Sequence, residues 1–132
     1  ANTVTLQPAN ESAAGDYYYY ATASFSGSGC GIARSDFHKV TVKRYAAASD
    51  IVITGNENTI CAGLKVTLAA NLASGTGISN PQFKWYSNAS LPPGQELSTT
   101  NTYTTDELSF NTSYYVSVSG DNICTNKPNE GA

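Results

Sequence analysis

The stretch PQFKWYSN, residues 81–88, decides the fold. Trp85 is the single tryptophan of the chain and lies between Cys61 and Cys124, with strand-like segments on either side. A large ring in that setting is what a two-sheet sandwich needs: a buried indole between its layers, beside a link joining them. Trp85, Phe83, Val66, Leu68, Val116 and Val118 are the expected core.

Composition agrees with this. Of the 132 residues only 13% are charged and none is Met, while Thr, Ser, Asn, Tyr and Gly abound. β-Branched and aromatic side chains fit a pleated surface, and Asn and Gly supply tight turns. The length accommodates one domain, or one domain and part of another. A net charge of −3, with Lys39, Lys43 and Arg44 as the densest basic cluster, speaks against a nucleic-acid partner, which needs a basic stripe to displace counterions. No apolar run approaches the length of a membrane span, so no membrane insertion is expected.

Outward from the Trp strand, residues 65–72 (KVTLAANL) alternate as a strand after a Gly63 turn, and residues 73–80 form a loop ended by Pro81. LPPG at 91–94 is a turn in which Pro fixes φ and Gly takes φ > 0. A polar strand over 97–105, a turn carrying Asp106 and Glu107, and the strand SYYVSVS at 113–119 follow, before Cys124. Upstream, a short strand at 4–7 and a polar turn at 8–15 lead to Tyr17, Tyr18, Tyr19 and Tyr20. A glycine-rich loop around Cys30 comes next, then a strand with Phe37, Val40 and Val42 as apolar positions and Lys39, Thr41 and Lys43 outward. The small, mostly uncharged AAASD at 46–50 reads as a linker.

The two halves repeat. GDYYYYATASFSGSGC, ending at Cys30, parallels NTSYYVSVSGDNIC, ending at Cys124. A strand follows the cysteine in the first case and none in the second. The expected organisation is therefore a fragment of a tandem array: 1–45 as the C-terminal part of one repeat, 46–50 as linker, and 51–132 as a repeat lacking its final strand. An open edge at the 113–119 strand would recruit a strand from residues 16–44 or from another chain, giving strand exchange or a dimer. Three cysteines leave one without an intrachain partner. In an oxidising compartment Cys61 and Cys124 can pair as a disulfide inside the second unit, with Cys30 left over.

With these residues in view, residues 51–124 resemble the immunoglobulin-like repeats of large secreted and surface proteins of Bacteroidetes-type bacteria. TICAGLKVTL, FKWYSN, STTNTYTT and TSYYVSVSG carry the resemblance, in that order. It implies an antiparallel, Greek-key, all-β sandwich, an extracellular or cell-surface setting and a non-catalytic adhesive or spacer role, with no catalytic residues or cofactors carried over. The alternative is a carbohydrate-binding module accessory to a secreted glycan-degrading enzyme.

Chemistry-bearing residues are sparse. His38 is the only histidine, set in a strand without a partner for base catalysis. Asp106 and Glu107 are the only adjacent carboxylates and fit a turn better than a hydrolytic pair or a calcium site. No CxxC spacing supports a metal. Asn10, Asn88 and Asn111 begin glycosylation-type triplets that arise by chance in so Asn/Ser-rich a chain. Tyr17, Tyr18, Tyr19 and Tyr20 remain: a strand puts two rings on each face, one pair packed and the other free to touch a protein or glycan partner.

Overall fold

A computed structural model describes residues 13–23, 32–55 and 59–132. Cys30, the short strand at 4–7, most of the turn at 8–15 and the Asn10 triplet lie outside them. The chain divides into two compact units, Ala1–Arg44 and Tyr45–Ala132. No α-helix occurs among the described residues.

The larger unit is an antiparallel sandwich. Its first sheet joins β5 (Ile51–Thr54), β6 (Thr67–Leu72) and β8 (Thr102–Thr104) in that order, and its second pairs β7 (Gln82–Tyr86) with β9 (Tyr115–Ser119). The chain lays down β5 and β6, crosses to β7, returns for β8 and crosses again for β9, which is the expected Greek-key path. Leu97 and Ser98 add a short edge to β7 through Leu97 N–H to Trp85 O (2.8 Å) and Trp85 N–H to Ser98 O (2.9 Å).

Register explains the core. Phe83 faces Val118 and Trp85 faces Val116, so these four share one face of the β7–β9 pair. Trp85, Val116 and Val118 are wholly buried, and Ile51 and Ala70 of the opposite sheet join them. Trp85 reaches across the layers to Tyr103, ring centroids 6.2 Å apart, and Tyr103 contacts Tyr114 at 5.3 Å. Burying an indole of about 200 Å² is worth about 5 kcal/mol of gross transfer energy. Leu68 and Val66 are only partly buried, because both border an open cleft at one end of the sandwich.

Residues 46–50 are not a linker. Ala46 is 1% exposed and belongs to the core, its N–H bonded to Cys124 O at 2.9 Å, and residues Ala48–Asp50 form a 3-10 turn leading into β5. Asp50 accepts the Ala47 N–H at 2.9 Å.

The expected Cys61–Cys124 disulfide is absent, and both thiols are free. Cys61 is exposed beside the Leu64–Leu108 bridge, at the pole where β6 begins; Cys124 is half-buried beside Tyr45 and Ala46, near the start of β5 at the other pole. The six residues of β6 separate these poles by about 17 Å at the usual strand rise. A bridge needs Cα atoms within about 7 Å.

The outer edge of β9, expected to be open, has partners. Val116 exchanges both backbone hydrogen bonds with Ala132, at 2.9 and 3.0 Å. Val118 N–H donates to the Asn126 side-chain Oδ1 at 2.9 Å, and Asn126 Nδ2 donates in turn to Glu130 O. Asn126 is 4% exposed, so one amide does at Val118 what a strand would otherwise do.

Among its described residues the smaller unit is a ribbon. β1 (Gly15–Tyr19) pairs with β4 (His38–Val42), and β2 (Thr22–Ala23) with β3 (Ala33–Arg34), all antiparallel.

Candidate functional site

The ribbon carries the four tyrosines, and its register sorts them. Tyr17 faces Val40 and Tyr19 faces His38, so one side of the ribbon bears Tyr17, Tyr19, Val40 and Val42. Tyr17, Tyr19, Val40 and Val42 are half-buried. The other side bears Asp16 opposite Thr41 and Tyr18 opposite Lys39. Here Lys39 Nζ meets Asp16 Oδ2 at 2.6 Å and Thr41 Oγ1 donates to Asp16 Oδ1 at 2.7 Å. The hydrogen bond from Lys39 holds the Asp16 carboxyl below its ordinary value, Thr41 adding to it, and the same contact raises the Lys39 ammonium. A side built on an exposed ion pair is the outward one. Tyr18 and Tyr20 stand on it, 60% and 52% exposed.

Between the two pairings, Tyr20 and Ala21 are opposed by three residues, 35–37. Ser35 N–H bonds to Ala21 O at 2.9 Å and the Phe37 ring meets the Tyr20 ring edge-on at 5.4 Å, which leaves Asp36 as the extra residue of a β-bulge. The bulge has a consequence for direction. Without it Arg34 and Phe37, three apart, would point to opposite sides; with it both join Tyr20 on the outward side. The Arg34 guanidinium carbon lies 5.2 Å from each of the two ring centroids. Phe37, expected to pack with Val40 and Val42, is therefore 58% exposed. Period two alone puts Phe37 with Lys39 and Thr41, and that signal was present in the sequence; nothing in it marked Arg34.

The remaining candidates are dispersed. His38 is exposed, as are Asp106 and Glu107 on the segment after β8. Among the described residues no group of three His, Cys, Asp or Glu side chains could hold a metal. Asn88 Oδ1 accepts the N–H of Ser90 at 2.9 Å, a local turn contact within its triplet. A cleft of about 620 Å³ opens at the pole of the larger unit among Ile53, Leu68, Trp85, Leu108, Phe110 and Tyr114, and among the described residues its lining holds no histidine or carboxylate. A smaller hollow is lined by Lys84, Tyr86, Leu91, Glu96, Ser117 and Asn126. Lys84 bonds Glu96 there at 2.9 Å, which raises the lysine and lowers the carboxyl.

Charge also separates the units. Ala1–Arg44 has four basic residues and three acidic ones, net +1, and Tyr45–Ala132 has three basic and seven acidic, net −4.

Comparison with curated proteins and with solved structures returns no match. Residues 48–130 match the family model described as Ig-like domain, CHU_C associated, a span that begins in the 3-10 turn before β5 and runs past Asn126. The chain belongs to this family of immunoglobulin-like domains, whose members are typically non-catalytic modules of secreted or surface proteins.

Proposed function

We propose that the chain is a non-catalytic extracellular module of a bacterial surface or secreted protein, serving as a spacer and touching a partner through the outward side of β1 and β4. In this reading residues 1–44 and 45–132 belong to successive units of a tandem array. The observation that carries it is the group Tyr18, Tyr20 and Phe37, each more than half exposed on a side otherwise built from an exposed ion pair. Large rings more than half in water contribute little to folding and offer rigid contact area with little entropy to lose. The family supports the setting. No helix among the described residues is long and apolar enough to cross a membrane.

The test is adhesion. Beads coated with the full chain are scored for retention on immobilised cell-surface protein and polysaccharide fractions, beside a variant carrying Tyr18→Ser, Tyr20→Ser and Phe37→Ser. Retention lost in the variant with an unchanged circular dichroism spectrum supports the contact role. Equal retention by both, or retention by neither, removes that role and leaves the spacer. The same rings favour a second reading, a carbohydrate-binding module attached to a glycan-degrading enzyme, since aromatic faces also stack on sugars.

A further inference from the structure

We infer that the outward side of the ribbon binds an acidic polysaccharide, the sugar rings lying on Tyr20, Phe37 and Tyr18 and a uronate carboxylate meeting Arg34. This deepens the contact-surface reading and rests on it.

Shape comes first. Protein partners anchor on pockets that swallow a side chain. The two hollows described above are both formed by residues of the larger unit, whereas the ribbon's rings stand on an extended two-strand surface. Flat rings in water suit a ligand that is itself a flat, amphipathic ring.

The guanidinium supplies the charge preference. The Arg34 guanidinium carbon sits 5.2 Å from the centroids of both Tyr20 and Phe37, and a guanidinium held by ring faces keeps N–H donors to offer a ligand. Among the described residues no carboxylate is paired with it, while Asp16, farther along the same side, is already held by Lys39. Arg forks match carboxylates with two parallel hydrogen bonds. Among the described residues the ribbon holds Arg34, Lys39, Lys43 and Arg44 against Asp16 and Asp36, so an anionic chain is drawn to this unit and repelled by the acidic one. Phosphate-rich nucleic acid would need more neutralising contacts than this one fork offers.

The test is affinity electrophoresis of the full chain in native gels containing polygalacturonate or, as neutral control, dextran. The chain's net charge of −3 opposes unspecific attraction to polygalacturonate, so retardation reports a local site. Retardation in polygalacturonate but not dextran is expected, weakened at least about tenfold by Arg34→Gln, in line with loss of a charge-assisted pair. Arg34→Lys, which keeps charge but loses the fork, should fall between, and Lys84→Ala in the other unit should change nothing. Added salt should reduce retardation. Equal retardation in dextran overturns the acid preference and leaves the contact surface standing. Retardation indifferent to Arg34→Gln overturns the site. Absence of retardation in both gels overturns the saccharide assignment, and the adhesion assay on protein fractions then decides separately whether the contact surface survives.

Discussion

The β1–β4 and β7–β9 pairs are built to one plan: five residues against five, antiparallel, an aromatic-rich strand facing one with two valines. Their fates differ. In β7–β9 the inward residues Trp85, Val116 and Val118 are fully buried; in β1–β4 the corresponding Tyr17, Tyr19 and Val40 stop at half-buried. Strand geometry is the same in both, so the difference lies in what covers them. β5, β6 and β8 close over β7 and β9, whereas no described residue of the Ala1–Arg44 unit supplies a second layer. Pairing makes a strand, and a second layer makes a core.

The largest way to break the contrast is Trp85→Ala. Removing a fully buried indole is expected to cost about 3–5 kcal/mol, read as a lower denaturation midpoint by circular dichroism. A loss under about 1 kcal/mol would show that the two pairs are held alike after all. Next is Asn126→Ala, which strands the Val118 N–H inside the protein. A loss of about 1–3 kcal/mol is expected, since a buried donor without a partner carries its full desolvation penalty. Gly120→Ala belongs with it: a Cβ there would come within 2.6 Å of Ser79 O and 2.7 Å of Ile78 Cγ2, and about 1–3 kcal/mol of strain should appear in the same measurement.

On the ribbon, Tyr20→Ala should shift stability by no more than about 0.5 kcal/mol, because its ring already stands in water. The smallest effect concerns pH. The Lys84 hydrogen bond lowers the Glu96 carboxyl, so its stabilisation is present above the ordinary carboxylate range and fades as pH falls through the lowered value. The Asp16–Lys39 pair of the ribbon follows the same sign. Acid titration of Glu96→Gln followed by circular dichroism should show a shallower acid limb than the parent, and an identical limb would remove Glu96 from the account.

Much of this was legible in the sequence because period two is a local signal. It marked Phe83, Trp85, Val116 and Val118 as one face and split the four tyrosines into packed and free pairs. What escaped depends on three-dimensional placement. Cys61 and Cys124 flank the Trp strand in sequence as bridged cysteines do, yet a strand's length stands between them. Ala46 is small because the core is tight there, and smallness alone resembles a linker. Asn126 looks like any tail residue until its amide is seen against β9. Phe37 follows its own alternation to the outward side although its apolar ring suggests packing, and Arg34 joins it through a bulge that no glycine announces.

That bulge gives the outward cluster an unusual mode of inheritance. Because Asp36 is the supernumerary residue, loss of its single codon would remove the bulge and leave Arg34 and Phe37 two apart, on the same side by plain alternation, with every side chain of the cluster still encoded. Among copies of a duplicated repeat, the surface would therefore outlast a shortening at this point, and its persistence depends on the rings and the guanidinium rather than on the length of strand between them.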